Sequence, residues 1–119
     1  MLRTIPNSQE AEQAVLSAMF LSRNALDKTF EMVDETAFYY DNNRKIFNCL
    51  KKLYDENAPI DMTTITTELR NEGILEEIGG VIYLTEVLNT ESTAANIDYY
   101  LKIISDDALL RRLIDVSPS

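Results

Sequence analysis

Apolar residues recur along this chain at three- and four-residue steps, and strand-like alternation never extends beyond a few residues, so the pattern predicts an all-α fold. The first helix is expected from about Ser8 to Phe20, with Ala11, Val15, Ala18 and Met19 on one apolar face flanked by Glu12 and Leu16. Asn7, followed by Glu10, resembles a capping box ahead of it. A shorter helix follows from about Asn24 to Val33, and Phe38, Tyr39 and Tyr40 form an aromatic knot in the connection after it, packed under the next helix. From about Asp41 to Asn57 the apolar positions Ile46, Phe47, Leu50, Leu53 and Tyr54 make a clean amphipathic helix. Pro59 keeps the residue before it out of helical geometry, Asp61 can cap a new helix through Met62, Ile65 and Leu69, and Gly73 suits a left-handed stop. Leu75 to Ile78 reads as a turn closed by Gly79-Gly80, followed by a helix from Val81 to Leu88 and a polar connection from Asn89 to Thr93.

The last segment, about Ala94 to Val116, is the longest. At about 100° per residue, Ile97, Leu101, Ile104 and Ala108 fall within about 60° of one another, the stripe of a helix lying on a core. A second stripe of Tyr99, Ile103, Leu110 and Ile114, bordered by Leu113, lies roughly 140° away. A small domain does not easily bury both sides of a terminal helix, so either a continuation of the chain or another molecule is expected to cover the second. The ending Ser117-Pro118-Ser119, directly after so periodic a helix, carries the expectation of a fragment or of a missing next element.

Composition narrows the function classes. The chain has 119 residues, 45% apolar and 26% charged, which fits one compact domain with a real core. Cys49 is the only cysteine, so a disulfide scaffold is excluded. With no long apolar run and no signal-peptide stretch in MLRTIPNSQE, no membrane association is expected and the chain reads as cytoplasmic. A net charge of -9 opposes direct binding of a nucleic-acid backbone. The absence of His removes imidazole bases, His-paired nucleophiles and imidazole metal sites. The only glycines are Gly73, Gly79 and Gly80, so neither a G-x-x-x-x-G-K-[ST] phosphate loop nor a G-x-G-x-x-G turn can be written in this chain.

The remaining chemical candidates read more simply as structure or surface. Glu76-Glu77 and Asp106-Asp107 are neighbours on the chain, diverge by about 100° on a helix and do not share a proton. Arg111-Arg112 can hold an acidic partner or a phosphate, or can complement the dipole of a helix end, and the second reading is favoured. Tyr99-Tyr100 lacks the basic groove of a base-stacking platform, and packing is favoured. Lys51-Lys52 reads as surface, and Cys49 as a small buried hydrophobe. No catalytic, cofactor-binding or metal-ligating residue emerges; the residues point to an acidic helical interaction domain.

Glu10-Ala11-Glu12-Gln13-Ala14-Val15-Leu16-Ser17-Ala18 resembles the opening of the N-terminal domain of the bacterial replicative DNA helicases of the DnaB family. Further matches follow in family order: Phe38-Tyr39 with Ile46-Phe47, Pro59-Ile60-Asp61, Gly79-Gly80 with Tyr83-Leu84, Asn96-Ile97 with Tyr100, and Ala108 through Ile114. The resemblance implies a single domain over 1–119: a globular helical head, about 1–92, followed by the first arm of a helical hairpin, about 93–116. It implies a non-catalytic role in oligomerisation and primase docking, with subunits pairing through hairpins into the collar of a hexameric ring. In some relatives a helicase loader contributes to regulation. ATP, Mg and strand translocation would belong to the ATPase domain of an ATP-dependent DNA helicase parent, with no cofactor in this part. The partner surface expected here is Tyr99, Ile103, Leu110, Leu113 and Ile114, with Arg111 and Arg112 as rim contacts. Family members often carry His before the Ile-Phe pair; Asn43 stands near that place, so no imidazole-dependent role carries over. Competing readings are the helicase-binding helical domain of a primase, a small hydrolase using Asp106 and Asp107, and a single-strand binder.

Overall fold

A computed structural model describes residues 5–90 and 96–115. Among these residues the chain forms α1 (Gln9–Leu21), α2 (Arg23–Met32), a 3-10 turn (Glu35–Ala37), α3 (Asp41–Asp55), α4 (Met62–Asn71), α5 (Gly80–Leu88) and α6 (Ile97–Asp115), with no strand. The all-α expectation holds. The polar connection expected through Thr93, the helix start at Ala94, its end at Val116 and the Ser117–Ser119 tail fall partly or wholly outside the described residues.

Local chemistry explains most boundaries. Ser8, not Asn7, caps α1: its hydroxyl accepts from the Ala11 N–H at 3.2 Å. Asn7 instead accepts from the Tyr40 hydroxyl at 2.7 Å, tying the entry of α1 to the start of α3. Ser22 ends α1 and starts α2 at once, giving its N–H to the Ala18 carbonyl and accepting from the Ala25 N–H. Its extended backbone turns the chain without a loop. Asp61 and Thr64 satisfy each other's backbone N–H groups in a reciprocal box at the start of α4. Asn57 adopts φ 55°, so α3 stops two residues before the expected Asn57. Gly73 supplies φ 75° at the end of α4, as its position suggested. Gly79 has φ 114°, and a Cβ there would lie 2.6 Å from Cβ of Tyr83, so only glycine lets α5 begin where it does.

The arrangement centres on α1, which packs against α2, α3, α5 and α6. The sequence suggests one apolar face for this helix; the fold buries Ala11, Ala14, Val15, Leu16, Ala18 and Met19, which point around it in several directions. Neighbours on several sides leave no solvent face for most of its length. Phe38, Ile46, Phe47 and Leu50 fill the side toward α3, Leu84, Val87 and Leu88 that toward α5, and Leu101 and Ile104 that toward α6. Of the aromatic knot, Phe38 is buried while Tyr39 reaches the surface and Tyr40 is half-buried.

Candidate interaction surface on the C-terminal helix

The two stripes predicted for the last helix meet different fates. Ile97, Leu101, Ile104 and Ala108 are buried against the head. On the outer side Tyr99 is 66% exposed, Leu110 47%, Leu113 55% and Ile114 51%. Ile103 does not belong with them. It is partly buried and packs against the core, because it lies in the first half of α6, beside buried Leu101 and Ile104, where the head borders the helix. Leu109, absent from the expected surface, is 54% exposed. The step from Leu109 to Leu113 is one helical turn, which is the signal that could have found it. The outer side of α6 therefore concentrates its large apolar groups in the last turn and a half, with Tyr99 set apart near the start.

The two arginines separate as well. Arg111 turns back to the head, where its guanidinium donates to the carbonyls of Pro6 at 2.9 Å, Thr36 at 3.1 Å and Ala37 at 3.4 Å, and lies 5.3 Å from the centre of the Tyr39 ring. Neither a free rim contact nor a dipole complement describes this; sequence spacing does not reveal a bond to residues some seventy or a hundred positions away. Arg112 stays exposed and borders a groove of about 170 Å³ shared with Met32, Val33, Asp34 and Ala108. Tyr100 packs on the core while Tyr99 faces out, their rings edge to face at 5.4 Å. Asp106 pairs with Lys102 at 2.9 Å on the exposed side, so it does not converge with Asp107 on a common site. Lys51 and Lys52 pair with Asp55 and Glu68 at the surface.

Beneath α6's neighbour, a polar network unseen in the sequence fixes the head. Glu12, 1% exposed, accepts from the N–H of Tyr39 at 2.8 Å, the N–H of Tyr40 at 3.4 Å and the Asn43 amide at 3.0 Å. Asn43, fully buried, accepts in turn from the Tyr83 hydroxyl at 2.6 Å, and Tyr83 accepts from Gln13 at 3.3 Å. α1, α3, α5 and the aromatic turn are thus joined by one chain of hydrogen bonds. Burial pushes the Glu12 carboxyl above its ordinary range, opposed by the Asn43, Tyr39 and Tyr40 hydrogen bonds and the charge of Arg111. The clue available in the sequence was Glu12 standing one turn before Leu16 in a largely apolar helix. Cys49 is buried, and burial pushes its thiol up to about 12, which fits packing rather than reactivity.

Among the described residues no group of His, Cys, Asp or Glu is arranged to hold a metal ion, and no helix is long and apolar enough to cross a membrane. What the fold presents is a helical head with one partly covered helix, a domain defined by a surface. Its family is shown directly: the chain belongs to the DnaB-like helicase N terminal domain family, whose model matches residues 4–106. Over 112 residues it is 46% identical to the replicative DNA helicase DnaC of Bacillus subtilis, covering 94% of this chain and 25% of that protein. The chain thus spans about a quarter of the length of this curated relative. The crystal structure of the N-terminal domain of DnaB helicase from Mycobacterium tuberculosis is similar at 37% identity and a TM-score of 0.89, over 94% of this chain and 80% of that one. The N-terminal domain of DnaB helicase from Helicobacter pylori, described with its interactions with primase, is similar at 25% identity and a TM-score of 0.75, over 91% and 84%.

Proposed function

We propose that this chain is the non-catalytic assembly and primase-docking domain of a replicative DNA helicase. The observation that carries this reading is the outer side of α6, where Leu109, Leu110, Leu113 and Ile114 stand about half exposed while the opposite stripe of the same helix is buried. Covering such a surface contributes roughly 25 cal/mol per Å² of apolar area before the costs of association. The occupant is the following arm of a helical hairpin together with a second copy of the domain, so that paired domains build a ring. The described interaction of the Helicobacter pylori relative with primase supports primase as the other partner. A helicase loader joins the same assembly as a regulator. Strand separation, with its ATP and Mg, is assigned to a separate ATPase domain of the parent. The net charge of -9 leaves DNA contact to that domain. Family membership with helicases favours the helicase side of the helicase–primase contact over the primase side.

The test is a double substitution, Leu110→Asp with Ile114→Asp, in the full-length protein. Sedimentation is expected to show a weakened ring and a pull-down to show weakened primase binding, with the helical content of the head retained. Unchanged assembly and unchanged primase capture would overturn the assignment.

A further inference from the structure

The inner stripe of α6 ends at Ala108, and the next residues on that line, Arg111 and Arg112, are charged. From there on, Leu109, Leu110, Leu113 and Ile114 turn outward while Arg111 reaches back. Its three acceptors come from two separate segments. The carbonyls of Thr36 and Ala37 close the 3-10 turn, where acceptors lack partners within the helix and partial negative charge collects. The Pro6 carbonyl lies just ahead of the α1 cap. The Tyr39 ring under the guanidinium is itself anchored, since the Tyr39 N–H is held by buried Glu12.

We propose that Arg111 is a polar latch that sets the angle at which the end of α6 leaves the head, and with it the presentation of Leu109, Leu110, Leu113 and Ile114. The use of the latch rests on the assembly reading above; its existence does not. A guanidinium fork fixes direction, because its planar donors meet carbonyls of two segments at once, which a lysine ammonium cannot reproduce. The grip is also exchangeable. Bonds to partly exposed carbonyls trade against water at little net free energy, so the helix end can be released without exposing the core. Regulation then needs no unfolding, only competition for one side chain.

The experiment places nitroxide labels at Ile114→Cys and Glu31→Cys, both exposed positions, and reads their distance distribution by pulsed electron resonance on the dilute chain. Cys49 stays in place because it is buried. A single narrow distribution is expected with Arg111 present, broadening roughly twofold or more in Arg111→Gln and by an intermediate amount in Arg111→Lys, with far-ultraviolet circular dichroism unchanged. An unchanged width in Arg111→Gln overturns the latch. Should that variant fail to fold, the width in Arg111→Lys decides on the same terms. The readout involves neither ring nor primase, so loss of the latch and loss of the assembly reading are told apart.

Discussion

In sequence α1 shows one apolar face and α6 two, yet the fold encloses α1 and leaves α6 half open. In α1, Val15 and Met19 on the apolar face and Leu16, about 100° round from Val15, are all buried, because α2, α3, α5 and α6 pack against the helix. In α6 only the stripe from Ile97 to Ala108 finds the head, and the outer residues stay in water. The number of apolar sides a helix shows in sequence therefore does not fix how many of its sides are buried. Neighbours supplied by the rest of the chain decide that.

The contrast makes sharp, ordered expectations. Truncating a residue of either buried stripe has the largest effect: Leu16→Ala in α1 and Leu101→Ala in α6, both 0% exposed, should each lower the unfolding free energy by about 3 kcal/mol in urea titrations. A much smaller loss at Leu16 would mean that α1 is not packed on that side.

Next comes the polar heart of α1. Glu12→Ala leaves the Tyr39 and Tyr40 N–H groups and the Asn43 amide without their acceptor, and should cost about 2–3 kcal/mol by the same measurement. Glu12 also gives a pH signature. Its folded pKa is raised above the ordinary 4.5, so the folded chain binds this proton first and stability from this group rises as pH falls from neutral through that raised value toward 4.5. Asp34 and Asp41 act oppositely in a lower window: their pKa values are depressed below 3.8, by Thr36 and by Lys45, and their contribution fades as pH falls past 3.8. Subtracting the pH profile of Glu12→Gln from that of the parent chain should isolate the first effect. A difference curve flat above 4.5 would show that Glu12 is not held in a desolvated site.

The smallest effect belongs to the outer side of α6. Leu110→Ala and Leu113→Ala in the chain by itself should change stability by no more than about 0.5 kcal/mol, as exposed substitutions usually do. A loss as large as that of Leu101→Ala would place the outer stripe inside the fold and erase the contrast between the two helices.

Legibility followed the range of the interaction. The amphipathic α3, the Asp61 cap and the Gly73 stop were readable because each depends on residues within about one or two helical turns. The cap of α1 falls on Ser8 rather than the neighbouring Asn7 because both residues can cap and Asn7 is engaged by the Tyr40 hydroxyl across 33 positions. Asn43 looked like a gap in a family pattern, yet it is the buried link between Glu12 and Tyr83. Ile103 and Leu109 differ by their place along α6, Ile103 in the length that the head borders and Leu109 beyond the end of the buried stripe at Ala108.

The order of apolar and polar residues by itself determined that this chain is helical, roughly where its helices run, and that its last helix is apolar on two sides. Those properties are periodic or local, and a chain expresses them before it folds. Only the tertiary structure decided that α1 is enclosed, that Glu12 has three donors waiting, and that Arg111 grips Pro6, Thr36 and Ala37. Each of these joins residues far apart along the chain, and such contacts come into being only once packing has fixed which surfaces face one another.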